Sequence, residues 1–351
     1  MKKYLSKIKQ KAGRSSNSTD DQANQAPRIT NETVAEHREE VLSSARKYIY
    51  PLQQSKHKIV LVTTTIFIAT IVGFFGYATV SLYKLKSHSS FLYGVTRVIP
   101  FPVAKAGNSF VAYENYLFEL RHYIHYYQNQ QKLDFKSESG KQQLAQFKKR
   151  ALEKVVDDAY VKQLAKEKKV TVSDKEVDTE IQIVRTQNRL GENDKVFEDV
   201  LKEYWGWTVN DFKRSLKQQL LAQKLLPVMD PEVVARANAA KKELDGGADF
   251  ASVAKKYSDD LGSKENGGEY GFPIDKSNRD IAAQTSAALF KLKAGEVSGV
   301  INAGYSLEIV KNMEMQGDKV RAAHITFTFK DISAYLNDLK DKKKASLYIK
   351  P

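Results

Sequence analysis

Residues 247–272 read GADFASVAKKYSDDLGSKENGGEYGF, and residues 319–327 read KVRAAHITF. In the first stretch Asp249 and Phe250 open a helix that runs to Tyr257-Ser258-Asp259 and carries an apolar face suited to packing on a sheet. Gly267 and Gly268 follow, two positions free of Cβ restriction. In the second stretch apolar and polar residues alternate as they do along a half-buried strand. Such a strand left alone exposes an unpaired edge, so it needs a sheet to join. Across residues 231–331 glycines concentrate and helix alternates with short strands.

Working back toward the start of the chain, residues 109–226 read as helical, with few glycines and apolar residues every third or fourth place. Phe147, Ala151, Leu152, Val155, Val156, Ala159, Tyr160 and Leu164 make one continuous apolar face. Ser173 stands three residues before Glu176, a capping-box signature for a helix through Ile181 and Val184. A further helix begins near Val209-Asn210-Asp211-Phe212, carries Leu216, Leu220, Leu221 and Leu225, and is expected to stop at Pro227. His122 and His125, at i and i+3 on a helix, could ligate a metal, but no nearby acidic pair completes a set. Trp205-Gly206-Trp207 reads as a packing corner between helices.

Residues 59–83, IVLVTTTIFIATIVGFFGYATVSLY, hold no charge over 25 positions. As a helix this run is long enough to cross a hydrocarbon layer about 30 Å thick with some tilt, and it predicts a membrane-spanning helix over residues 58–84. Some 58 residues precede it, unlike the short basic start of a cleaved signal sequence. Arg46, Lys47, Lys56 and Lys58 flank its entry and Lys84, Lys86 and Arg97 its exit. With the basic start MKKYLSKIKQKAGR added, the bias favours a cytoplasmic N-terminus and an exported body. Residues 15–35 are too poor in large apolar side chains to order themselves, so residues 1–57 are expected to form a largely disordered basic tail.

The whole chain has 351 residues, 56 Lys plus Arg against 42 Asp plus Glu, and no cysteine. Disulfides, thiolate nucleophiles, cysteine-ligated zinc and iron–sulfur clusters are therefore excluded. No aromatic interleaving of the basic residues or glycine-rich phosphate loop supports a specific nucleic-acid site.

Three blocks carry a resemblance. VAKAGN (103–108) with Tyr113-Glu114-Asn115-Tyr116, then ALEKVVDDAYVKQLAKEKKVTVSDKEVDTEI (151–181), then FEDVLKEYWGWTVNDFKRSLKQQLLAQKLL (197–226), together resemble the helical chaperone module of the SurA, PrsA and PpiD proteins. Residues 247–272, with ALFKLKAGEVSGVINAGYSLEIVK (288–311), resemble the parvulin class of peptidyl-prolyl isomerases, and Leu292–Ser298 is similar to that family's turn into its last hairpin. The resemblance implies an α+β chain: a single N-terminal transmembrane helix, a helical SurA-N-like chaperone module over 100–230, a parvulin-like domain over 231–331 with a small antiparallel sheet and packed helices, and a C-terminal helix or tail over 332–351.

Isomerising a prolyl bond requires neither nucleophile, metal nor cofactor, so no cofactor is expected. The parvulin resemblance implies a floor of two histidines and an Asp or Cys beside an apolar pocket. Carried over position by position, the acid falls on Asp260, with Asp259 beside it. The Met or Leu wall falls on Ile281, and the Phe place falls on Thr285, for which Phe272 could compensate. The second histidine is missing: its place in the last strand holds Glu308 or, in another register, Ser306. The first histidine belongs to a strand that opens the family's domain, and no such strand precedes Glu232. Its phrase stands after the last strand instead, with His324. The alternatives are a circularly permuted parvulin, in which this strand takes the central place and sets His324 beside Asp260, or a second repeat that stops after its first strand and helix. Without the resemblance, His324 would read as an ordinary half-buried histidine.

The function implied is a membrane-tethered, extracytoplasmic prolyl isomerase and chaperone. Its partners would be unfolded or nascent exported polypeptides containing proline, and the lipid bilayer through residues 59–83. The alternatives are a non-catalytic holder of unfolded chains with a degenerate parvulin domain, and a structural membrane protein that binds anionic lipid or cell-wall polymer.

Overall fold

The computed structural model describes residues 29–49, 52–188, 190 and 193–350. The chain divides into two units, residues 1–75 and 76–351, with the boundary inside a long apolar helix. The first unit holds α1 (Asn31–Ile49) and most of α2 (Leu52–Thr79). The helix α1 corrects the expectation of a largely disordered stretch up to residue 57. The Thr30 hydroxyl accepts from the Thr33 amide at 3.3 Å, Glu32 sits in the first turn, and neither Gly nor Pro interrupts the helix. Residues 1–28, which hold the basic start and most of the polar stretch, lie outside the described residues. Along α2 the hydroxyls of Thr63, Thr65 and Thr70 donate to carbonyls four residues back at 2.8–2.9 Å, so these three groups are satisfied within the helix.

In the second unit the apolar helix ends in a π-helical turn, Val80–Lys84, followed by α3 (Ser90–Val98). A hairpin, β1 (Pro102–Ala106) and β2 (Ser109–Ala112), then turns through Gly107 at φ +55°. Residues 109–112, expected to open the helical stretch, form β2 instead, a correction: a strand this short shows no period that separates it from a helix start. The helices α4 (Tyr113–Asn129), α5 (Glu138–Glu167), α6 (Asp174–Gln187), α7 (Asp194–Trp205) and α8 (Val209–Met229) follow. Their starts are chemically marked. Ser173 and Glu176 form the expected capping box of α6, Thr208 and Asp211 form another on α8, and Ser137 caps α5. The stop expected at Pro227 is a correction: α8 runs through it to Met229, because a proline in the final turn sacrifices only one backbone bond.

The apolar face read on α5 is the centre of this module. Phe147, Ala151, Leu152, Val155, Val156, Tyr160 and Leu164 are buried against Tyr113, Tyr116, Leu117 and Leu120 of α4. A smaller core joins α6, α7 and α8 through Val177, Ile181, Phe197, Leu201 and Leu216.

The chain then passes through α9 (Pro231–Asp245), α10 (Phe250–Tyr257) and α11 (Ala283–Leu289) into β3 (Ile301–Asn302), β4 (Ser306–Gln316) and β5 (Lys319–Thr328). All pairing is antiparallel, in the order β3-β4-β5. The free edge of β5 is covered by residues 268–274: His324 donates its amide to the Gly268 carbonyl at 2.7 Å, and Ile274 and Val320 exchange two bonds at 2.8 Å. The strand 319–328 therefore lies between β4 and the 268–274 segment, not at an open edge. Each face of the sheet has its own core. Leu307, Ile309, Ala323, Ile325 and Phe327 pack on α9 and α10, while Val310, Val320 and Ala322 pack with Ile274, Ile281 and Leu289. Finally α12 (Ile332–Lys342) and β6 (Ser346–Leu347) return to the helical module, where β6 pairs with β1.

Candidate active site

Residue parity on β5 places His324 on the α11 side of the sheet, opposite Val310 and one diagonal step from Glu308. The helix α10 ends at Tyr257, and its continuation is pinned to β5. Asp259 donates its amide to the Thr326 carbonyl at 2.8 Å, and the buried Ser258 hydroxyl accepts the Thr326 amide at 3.2 Å. This pinning brings Asp260 to the histidine. His324 Nε2 lies 2.9 Å from Asp260 Oδ2, with the histidine side chain 10% exposed and the aspartate side chain 36%.

Asp260 is held in place by its own turn. Its Oδ1 accepts the Gly262 amide at 3.0 Å, and the buried Ser263 hydroxyl donates to Oδ2. The Ser263 hydroxyl above all, then the Gly262 amide and His324, keep the carboxyl below the usual aspartate range against the opposing effect of partial burial. An ionised Asp260 accepts a proton from Nε2, and the buried Nδ1 has no partner among the described residues.

Tyr270 forms the next layer. Its ring stacks on the imidazole, centroids 4.0 Å apart and planes 28° from parallel. Burial, followed by the charges of Glu308 and Asp260, drives its hydroxyl pKa upward, so it remains a proton donor. Glu308 is fixed from two sides: Thr285 donates to Oε2 at 2.6 Å and Ser306 lies 3.3 Å from Oε1. Thr285 is fully buried, and the two places where the parvulin pattern is broken are thus joined by a hydrogen bond. Phe272, 40% exposed, lies with its ring 6.2 Å from that of Tyr270.

Other candidates go elsewhere. The Asp259 carboxylate accepts from Arg236 and from the Thr328 amide, which ties α9 to β5 and keeps that carboxylate out of the His324 cluster. Ile281 is buried in the sheet core, with its carbonyl 3.4 Å from the Gln187 amide nitrogen. Ser263 and Tyr270 were not singled out in the sequence. The spacing Asp260-Leu-Gly-Ser263, typical of a turn closed by an aspartate side chain, was the available signal for the first.

Residues 52–226 match the SurA-like N-terminal domain family, and residues 228–314 match the PPIC-type peptidyl-prolyl isomerase domain. The chain belongs to the SurA/PrsA-type parvulin foldases. The isomerase-family match ends at residue 314, before β5 begins. Among curated relatives, the foldase protein PrsA of Clostridium botulinum strain Langeland is 28% identical over 212 residues, covering 50% of this chain and 62% of that protein. The chain thus spans less than two thirds of the length of that foldase. PrsA of Clostridium acetobutylicum is 26% identical over 254 residues, covering 61% and 73%. A crystal structure of the peptidylprolyl isomerase PrsA from Bacillus anthracis is 24% identical, covering 54% of this chain and 88% of that one, with a TM-score of 0.18.

Proposed function

We propose that this foldase-family chain is a membrane-tethered prolyl isomerase and chaperone for unfolded exported polypeptides, with its site at His324, Asp260, Tyr270 and Glu308. The observation that carries the reading is the 2.9 Å contact between His324 and Asp260, made by a strand that follows the last strand of the family match. Rotation about a prolyl bond meets a barrier of about 18–20 kcal/mol, because amide resonance stiffens the C–N bond and places negative charge on the carbonyl oxygen. A carbonyl seated against the Asp260 and Glu308 carboxylates meets negative charge instead of water donors. The charge-separated form then loses weight and the bond softens. Tyr270, kept protonated, offers a hydrogen to the nitrogen lone pair that appears as the amide twists. Phe272 offers an apolar surface to the proline ring.

The membrane reading rests on the apolar helix His57–Lys84, 28 residues whose most apolar 18-residue stretch has a mean hydropathy of 2.3, and on the basic residues that flank it. Its partners would be the bilayer and proline-containing clients on the exported side.

The test is a prolyl-isomerisation assay on the full chain in lipid nanodiscs. Wild type is expected to accelerate relaxation of a proline-containing peptide. His324→Ala and Asp260→Ala are each expected to remove at least about 90% of that acceleration, equivalent to about 1.4 kcal/mol of barrier. Acceleration that survives both substitutions would defeat the site assignment. A second reading, a holder of unfolded chains without catalysis, draws on the Thr285–Glu308 pair standing where the family has Phe and His. It predicts no acceleration by wild type, and suppression of client aggregation that neither substitution changes.

A further inference from the structure

The end of the apolar helix, Val80–Lys84, is bonded to the elements that follow it. As it widens into the π-helical turn, Leu85 donates to the Val80 carbonyl at 3.0 Å and Ser87 to the Ser81 carbonyl at 2.9 Å. The body supplies further donors and acceptors: Tyr113 donates to the Leu82 carbonyl and Tyr83 to the Pro102 carbonyl, both at 2.6 Å. Ser81 and Leu82 are buried. The Leu82 carbonyl, which a helix end would ordinarily leave to water, is here bonded by the folded module.

The next element along is α3. Its inner side buries Leu92 and Thr96. Its outer side presents Phe91, 59% exposed, and Val98, 83% exposed, seven residues apart and therefore on one face. The Phe91 ring lies 6.4 Å from that of Tyr77, a residue of the apolar helix itself. Tyr77 and Leu85 are also exposed. Around this patch stand Lys84, Lys86 and Arg97, and no acidic residue occurs between Val80 and Tyr113.

We propose that α3 and the turn before it lie in the interfacial layer of the bilayer that α2 crosses, with Phe91, Leu85 and Val98 at the acyl boundary and Lys84, Lys86 and Arg97 against anionic headgroups. Two observations select a lipid surface as the occupant: the patch is continuous with the helix read as the span, and its charge is wholly basic. The proposal rests on the transmembrane reading of α2.

The absence of cysteine permits a direct test. Single variants Phe67→Cys, Val98→Cys and Leu261→Cys of the full chain are labelled with an environment-sensitive fluorophore and placed in vesicles of phosphatidylcholine with added phosphatidylglycerol. Leu261, 80% exposed on the parvulin domain, is the aqueous reference. The label at 98 is expected to be quenched by brominated lipid and shielded from acrylamide at least about threefold relative to 261. Its shielding is expected to rise with the phosphatidylglycerol fraction, and replacing Lys84, Lys86 and Arg97 by Gln should abolish that rise. Quenching at 67 together with free acrylamide access at 98 would overturn the proposal and leave the span intact. Shielding at 98 without quenching by brominated lipid would assign the patch to a protein partner and also overturn it. A label at 67 that brominated lipid fails to quench would remove the span and this proposal with it.

Discussion

Gly268 shows how tightly one residue can set the site. It sits at φ +78°, its carbonyl accepts the His324 amide at 2.7 Å, and a Cβ there would stand 2.2 Å from the His324 carbonyl oxygen. Any side chain must displace the strand that carries the imidazole, and the positive φ adds strain of its own. Gly268→Ala is therefore expected to cost about 2–4 kcal/mol in denaturant unfolding and to lose isomerisation together with stability. Gly267, at φ +66°, shares the strained backbone, but a Cβ there would meet the Ala251 methyl at 3.0 Å and not the strand that carries His324. The pair Gly267-Gly268 was visible in the sequence as conformationally free, but not which of the two lies against His324, since that depends on a strand more than fifty residues away. The Thr285–Glu308 bond was hidden for the same reason. Read one position at a time, each residue departs from the parvulin pattern. Read across the gap between α11 and β4, the two departures satisfy each other, and a buried hydroxyl supplies the donor that the carboxylate needs.

At the scale of elements, α4 and the corner after α7 form an aromatic wedge with a pH dependence. The His122 ring stacks on Trp207 with centroids 4.5 Å apart and lies tilted against Trp205 at 4.9 Å, while His125 bonds the Glu203 carbonyl at 2.9 Å. Burial first, then the charge of His125, pushes His122 down to about 4, partly offset by a bond to the Trp205 backbone. Below its unfolded value of about 6.5 the unfolded chain takes up a proton that the folded chain refuses. The stabilising preference for neutral His122 is thus fully present above pH 6.5 and is lost as pH falls toward 4, by an amount on the order of 3 kcal/mol. His122→Phe keeps the stacking and removes the proton, so its unfolding free energy should fall less than that of wild type between pH 7 and 4.5. Equal slopes for the two proteins would exclude His122 as the source. A residual slope is expected from His88, also lowered by burial. The helices on which the wedge stands were legible because caps and apolar spacing are local signals: Ser173 with Glu176, and the Phe147 to Leu164 face. The β1–β2 hairpin and the passage of α8 through Pro227 were not, because tertiary pairing and the surrounding core decide both.

At the scale of the molecule, the path of the chain makes the helical module depend on its far end. The polypeptide leaves this module after α8, completes the parvulin sheet with β5, and then returns. In α12 Leu336 is fully buried in the core that contains Phe147 and Tyr160, Ile349 is 2% exposed in the same core, and β6 extends the β1–β2 hairpin. Tyr160 of α5 donates to the Lys343 carbonyl, and Lys340 pairs with Asp157 at 2.7 Å. The segment that reads in the sequence as a C-terminal helix or tail is therefore a wall of the first module, held more than 180 residues from its partner on α5. A sequence reading misses this because the apolar positions of α12 are few and show their purpose only once the face they cover is known. Removing the Leu336 side chain opens a cavity in the helical core, at a cost of about 2–5 kcal/mol. If the C-terminal segment serves the helical module, Leu336→Ala should lower hydrogen-exchange protection along α5 and in the β1–β2 hairpin, while amides paired between β4 and β5 keep theirs, since the latter are covered by α9 and α10. Loss of protection confined to the β4–β5 sheet would show instead that α12 buttresses the isomerase domain, and would detach the closing segment from the module it covers.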